Sequence, residues 1–126
     1  MKNNDSQFLI VDDEPEICWA LGRILKNAGL VCSTAANGNE AIALAESRPF
    51  RVAFLDAKLP DIDGFVLARR LQKVTPGIRI VIVSGYFYQD DPVITAAIQS
   101  GLIVAFVEKP FDHDEIMRAA FSGQAL

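Results

Sequence analysis

The chain is poor in the residues that build secreted, metal-stapled or membrane-bound proteins. Cysteine occurs twice in 126 residues, at Cys18 and Cys32. Cys18 falls in a helical pattern and Cys32 in a strand-like one. That is no disulfide framework, and both are expected to be small buried hydrophobes in a reducing, cytoplasmic setting. Positive charge is in deficit: 12 Lys and Arg face 16 Asp and Glu, for a net charge of −4. A domain that binds DNA or RNA directly wants a basic face, and docking on an anionic membrane wants the same. Net charge therefore speaks against both partners. Long apolar runs are missing. Met1 to Gln7 leads into only a short one, which is no signal peptide, and no later stretch is long enough to cross a bilayer. Linkers, low-complexity tracts and long-period repeats are absent as well. What is present is 51% apolar residues, enough for one real core. The expected organisation is a single domain spanning residues 1–126.

Short apolar runs alternate with amphipathic stretches. Phe8-Leu9-Ile10-Val11 is a compact run that stops at Asp12. From Glu14 the period becomes helical, with Ile17, Leu21, Ile24 and Leu25 on one face, until Asn27-Ala28-Gly29 stops it. Leu30 to Ala35 reads as a second strand and Asn37 to Ser47 as a second helix. Val52-Ala53-Phe54-Leu55 is a third strand ending at Asp56, followed by a helix over Gly64 to Val74. Arg79 to Val83 is a fourth strand ending at Ser84, followed by a helix carrying Val93, Ile94, Ala97 and Ile98 and closed by Gly101. Ile103 to Val107 is a fifth strand, and Asp112 caps a last helix with Ile116, Met117 and Ala120. Nearly continuous apolar strands mean burial on both faces, hence a parallel sheet between helix layers. Right-handed crossovers make this an open (βα)5 doubly wound α/β fold. The expected topology is the flavodoxin-like one, with strand order 2-1-3-4-5.

In an open parallel sheet, ligands bind beyond the carboxyl ends of the strands. Those ends carry Asp12-Asp13-Glu14, Asp56, Ser84 and Lys109. Three carboxylates that converge repel one another, so some take up protons or a cation compensates them. Hard oxygen donors in a partly open site suit Mg²⁺ (or Mn²⁺). Neither His nor Cys stands at a strand end, which disfavours zinc. A metal, an ammonium and a hydroxyl around a carboxylate are what phosphoryl transfer to that carboxylate requires.

These residues resemble the receiver domains of two-component response regulators. The resemblance rests on Asp12-Asp13-Glu14, on Asp56 with Leu59-Pro60 and Gly64, on Ser84-Gly85, and on Lys109-Pro110-Phe111. Each motif alone is weak. Four of them in order, each at a strand end, are specific, and they cover essentially the whole chain. The resemblance implies that Asp56 is the phosphoacceptor. It implies that Asp13 binds Mg²⁺ directly, that Asp12 helps through water, and that the backbone carbonyl of Lys58 is a further ligand. Ser84 would hydrogen-bond the phosphoryl group and Lys109 would pair with it. Phe106 would be the switch aromatic, and the Lys109-Pro110 bond would be cis. The implied partners are a histidine kinase or phosphotransfer protein and a downstream target or output domain. The face of the fourth helix, fifth strand and fifth helix would change on phosphorylation. The domain would catalyse only its own phosphorylation and dephosphorylation and is not expected to be an enzyme acting on an outside substrate.

Blander readings stand beside these. Asp12 and Asp13 could cap the first helix, Asp56 could be a turn residue before Pro60-Asp61, and Lys109 could be a solvated lysine. His113, the one histidine, is expected to be exposed and not a phosphohistidine. Tyr86-Phe87-Tyr88 cannot all be core. Either one or two of them form a partner or homodimer surface, or the loop folds onto the fourth helix. The switch aromatic is Phe instead of Tyr, and the Ser84–Lys109 segment is longer than the family pattern. A degenerate receiver that acts as a phosphate-independent scaffold is the alternative function. A flavin-binding protein would need a Ser/Thr-rich loop where Asp12-Asp13-Glu14 stands. A haloacid-dehalogenase-type phosphatase would need a second Asp where Lys58 stands.

Overall fold

The computed structural model describes residues 7–123. The expectation that Met1 to Gln7 is no signal peptide falls largely on residues 1–6, which with 124–126 lie outside the described residues. The elements alternate strictly. They are β1 (Phe8–Val11), α1 (Pro15–Asn27), β2 (Cys32–Ala35), α2 (Gly38–Ser47), β3 (Val52–Asp56), α3 (Gly64–Val74), β4 (Arg79–Ser84), α4 (Pro92–Gln99), β5 (Ala105–Glu108) and α5 (His113–Ala120). All four pairings are parallel, and the sheet order is β2-β1-β3-β4-β5.

The apolar strands explain the two layers. Every residue of β1 is buried, and side chains alternate between faces. Leu9, Ala53, Leu55, Ile80, Ile82 and Phe106 pack with residues of α2, α3 and α4. Phe8, Ile10, Val52, Phe54, Val81 and Val107 pack on the other side with Leu21, Leu25 and Ile116 of α1 and α5. Each fully buried Leu, Ile or Phe contributes about 1.5–3 kcal/mol by leaving water, so a strand buried on both faces is held from both sides.

Two strands start later than the apolar runs suggest. β2 begins at Cys32, because Leu30 belongs to the end of α1. Gly29 takes φ 80°, its N–H donates to the Lys26 carbonyl, and the Leu30 N–H donates to the Leu25 carbonyl. This is a Schellman ending, and its apolar residue beyond the glycine folds back onto the helix. β5 begins at Ala105 and runs through Glu108, because the Ile103 N–H turns back to the Ala97 carbonyl at the end of α4. The cysteines also differ from expectation. Cys18 and Cys32 are half-buried, since both border a groove between α1 and the edge strand β2. Burial still holds both thiols above the ordinary cysteine value, so they stay neutral. Among the described residues no helix is long and apolar enough to cross a membrane.

Candidate functional site at the carboxyl edge of the sheet

Parallel pairing brings the strand ends together. Asp56 is the last residue of β3 and Ser84 the last of β4, while Asp12 and Lys109 directly follow β1 and β5. The Lys109 N–H donates to the Ser84 carbonyl at 3.0 Å, which ties the last two strand ends together. The Lys109-Pro110 peptide is cis.

The lysine sits among carboxylates. Its Nζ lies 2.9 Å from Asp12 Oδ2, 3.2 Å from Glu14 Oε1 and 3.6 Å from Asp56 Oδ2. Asp12 is only 3% exposed, so this ammonium offsets a charge that would be costly to bury alone. Oxygens of Asp12, Asp13 and Asp56 all lie within 4.8 Å of one another. One ammonium against four carboxylates leaves a surplus of negative charge. Burial, then the charge of Asp12, raises the Asp56 pKa above the ordinary aspartate value, although Lys109 and the Lys58 N–H pull it down. Burial lowers the Lys109 pKa, but its hydrogen bond to Asp12 and the charges of Asp12 and Asp56 outweigh this, so the group stays protonated well above neutral pH.

The surroundings hold each group in place. Asp12 Oδ1 accepts the Glu14 N–H at 2.9 Å, and the Cys18 thiol lies 3.3 Å from the Asp12 carbonyl oxygen. The cap position of α1 is Glu14, with no side-chain cap bond, and Pro15 opens the helix. Asp12 and Asp13 therefore do not serve the helix as caps. Ser84 is 1% exposed, and its Oγ accepts the Tyr86 N–H at 2.9 Å. Gly64 opens α3 directly against β3. A Cβ there would collide with the Asp56 carbonyl oxygen and crowd Ala57 Cα at 2.8 Å, so only glycine lets α3 start this close to the site.

Phe106 is buried in the cluster with Ile94 and Ala97 and pairs in register with Ile82, two residues before Ser84. Lys58 is exposed, with its N–H 3.5 Å from Asp56 Oδ1 and its ammonium 4.4 Å above the Tyr86 ring. The aromatic triplet divides. Phe87 packs edge-on against Phe65 at 5.8 Å, whereas Tyr86 and Tyr88 are 66% and 72% exposed. His113 is exposed beside Asp114.

Two contributors were not singled out from the sequence. Glu14 shares the Lys109 ammonium; its place beside Asp12 and Asp13 was the available signal. Asp61 accepts the N–H groups of Gly38 and Asn39 at 2.8 and 2.9 Å, so the loop after β3 caps α2. That contact spans more than twenty residues, and local sequence carries no sign of it.

A doubly wound sheet with acidic groups, a hydroxyl and an ammonium at its carboxyl edge is the class that fold and site define. The family model for the response regulator receiver domain matches residues 8–121, and the chain belongs to that family. It is 36% identical over 106 residues to the DNA-binding transcriptional regulator NtrC of Salmonella typhimurium, covering 84% of this chain and 22% of that protein. The chain thus spans about a fifth of that relative. It is 31% identical over 115 residues to sporulation initiation phosphotransferase F of Bacillus subtilis, covering 91% of this chain and 90% of that one. Among solved structures, a CheY-like receiver domain protein from Methanospirillum hungatei superposes with a TM-score of 0.78 at 30% identity, covering 90% of this chain and 88% of that one. A response regulator from Burkholderia pseudomallei, solved with a phosphorylated aspartic acid, a calcium ion and citrate, gives 0.79 at 26% identity, covering 91% and 66%.

Proposed function

We propose that this receiver domain is a phosphorylation switch with Asp56 as its phosphoacceptor. The observation that carries the reading is the Lys109 ammonium, held within 3.6 Å of Asp56 and anchored by the buried Asp12. A partner histidine kinase or phosphotransfer protein would present a phosphohistidine. An Asp56 carboxylate oxygen attacks the phosphorus, the P–N bond breaks, and the imidazole leaves. An acyl phosphate remains on Asp56. Lys109 neutralises charge that develops on the phosphoryl oxygens. Ser84 already accepts a hydrogen bond from the Tyr86 N–H, so its own hydroxyl hydrogen is free to be donated to the new group. The raised Asp56 pKa marks a carboxylate that gains from any added positive charge.

The donor set fits a divalent cation, because it is all oxygen and carries surplus negative charge. Asp13 and Asp56 would hold Mg²⁺ (or Mn²⁺), with Asp12 acting through water and the Lys58 carbonyl as a further ligand. When bound, the ion supplies charge neutralisation for the transferring phosphoryl group. Water later cleaves the acyl phosphate, releasing phosphate and restoring the carboxylate. Ser84 and Phe106 would carry the change to the face of α4, β5 and α5, biasing a conformation already present as a minor state. That face would then change its affinity for a downstream target or an output domain. Receiver domains are not enzymes in the ordinary sense, and here the turnover would be confined to Asp56.

Intact-mass spectrometry after incubation with a small-molecule phosphodonor tests the reading. One added phosphoryl group that requires Mg²⁺ and disappears in Asp56→Asn supports it. An unlabelled wild-type protein, under conditions that label an established receiver, would overturn it in favour of a phosphate-independent scaffold.

A further inference from the structure

Charge in this fold is segregated by height along the sheet. Among the described residues, every Asp and Glu except Glu46 lies at a carboxyl strand end, in the loop above it or in the first turn of a helix. Every Lys and Arg except Lys58 and Lys109 lies at or beyond a helix midpoint, or beside the amino-terminal strand edge. The net charge of −4 is thus an average over an acidic pole, which is the site above, and a basic pole at the opposite end.

The basic pole has a concave centre. The α2–β3 and α3–β4 connections enclose a cleft of about 490 Å³ lined by Arg51, Thr75, Gly77 and Arg79. A neighbouring cleft of about 370 Å³ adds Arg48 together with the acidic Glu46 and shares Pro49, Thr75 and Pro76. Carbonyl ends of helices account for some cations in such a place, and Lys73 sits in the last turn of α3. They do not account for Arg51, which stands exposed before β3. Arg79 spends Nη1 on the carbonyls of Ala120, the last residue of α5, and Ser122 just beyond it. No carboxylate of the described residues lies within 4.0 Å of Arg48, Arg51, Lys73 or Arg79. Arg51 instead adds to burial in depressing the Arg79 pKa, and the Ala120 and Ser122 carbonyls on Arg79 offset that repulsion only in part.

We propose that this basic pole is a docking surface for the phosphodiester backbone of a nucleic acid. The three cations that line these clefts are all arginines, whose planar fork matches phosphate oxygens and loses little order in binding them. The acidic pole does not prevent this. At about 0.1 M salt the screening length is near 10 Å, shorter than the sheet that separates the poles. A ligand at the basic end meets the local charge and not the net charge. Contact would be sequence-independent, because no base-reading element enters the cleft.

The test is fluorescence anisotropy of the intact chain with a labelled duplex of arbitrary sequence, titrated between about 30 and 200 mM NaCl. The expected affinity falls with salt at a log–log slope of about −3, as three or four displaced phosphate counterions would give. Arg48→Glu with Arg51→Glu should weaken binding at least tenfold and flatten the slope by about 2. Glu46→Lys should tighten it, and that gain requires a folded protein. Asp90→Lys with Asp114→Lys changes net charge at the acidic pole and should leave binding at about 0.1 M salt unchanged. No anisotropy change at the lowest salt would overturn the proposal. So would Asp90→Lys with Asp114→Lys strengthening binding as much as Glu46→Lys, since net charge alone would then suffice. Tighter binding to phosphatidylglycerol vesicles, or equal competition by polyglutamate at matched charge, would also overturn it and assign the pole to a membrane or an acidic protein.

Discussion

Lys109 and Asp56 hold opposite positions in one charge imbalance. Asp56 has its pKa raised in the fold, so the folded chain holds that proton more tightly than the unfolded one. Stability contributed by the protonated form is present at low pH and is lost as pH rises from the ordinary aspartate value, about 4, through the raised folded value. Asp56→Asn should therefore melt higher than wild type at pH 7, by about 2–5 °C in this size range. The difference should close as the pH approaches about 3.5, below the ordinary aspartate pKa. Differential scanning calorimetry across that range reads both. Mg²⁺ should raise the wild-type melting temperature more than that of Asp56→Asn. Lys109→Ala should do the reverse of Asp56→Asn, since it leaves Asp12 buried without its 2.9 Å partner. A loss of about 3 kcal/mol is expected, the low end for removing one partner of a buried ion pair, because Asp12 keeps the Glu14 N–H. Urea titrations with EDTA and with Mg²⁺ should show the deficit shrinking with metal. Gly64→Ala adds a methyl where the Asp56 carbonyl stands, and should cost about 1–3 kcal/mol by the same titration.

At the scale of elements, α2 shows how the ends of helices are joined to the site. Asn37 caps it locally through the Glu40 N–H at 2.9 Å, and Asp61 caps it from the β3–α3 loop. Bonds from Gly38 and Asn39 hold the Asp61 pKa below the ordinary value. Its contribution is fully present above that ordinary value and is lost as pH falls through the lower folded one. Asp61→Ala should speed amide exchange at Gly38, Asn39 and Glu40 at neutral pH, and the gap to wild type should narrow in acid. Hydrogen exchange followed by NMR distinguishes this local loosening from global unfolding. The element order was legible in the sequence, because continuous apolar runs give way to period-3.6 apolar patterns after each strand end. Two boundaries were not. Leu30 and Ile103 are apolar for reasons of helix ending and core packing, and an apolar residue beside a strand looks the same as one within it.

At the scale of the whole molecule, the two poles set how the chain responds to salt. Like charges crowd at each end and, apart from Lys58 and Lys109 at the acidic end and Glu46 at the basic one, opposite charges stand a sheet length apart. Raising NaCl from about 10 to 100 mM shortens the screening length from about 30 to 10 Å. The long attraction and the short repulsions both weaken, but the repulsions are closer and more numerous. The melting temperature should rise over this range. A fall would mean that the poles attract more than each repels itself. The sequence by itself determined the number and order of the elements, the parallel sheet, and which strand ends bear Asp12, Asp13, Asp56, Ser84 and Lys109. Those follow from periodicity and from the handedness of crossovers, both local properties of the chain. Tertiary structure alone decided that Glu14 shares Lys109, that Asp61 caps α2, and that Phe87 turns inward while Tyr86 and Tyr88 do not. It also decided that a chain of net negative charge keeps a basic end. These depend on distances between residues far apart in sequence, and composition averages such distances away.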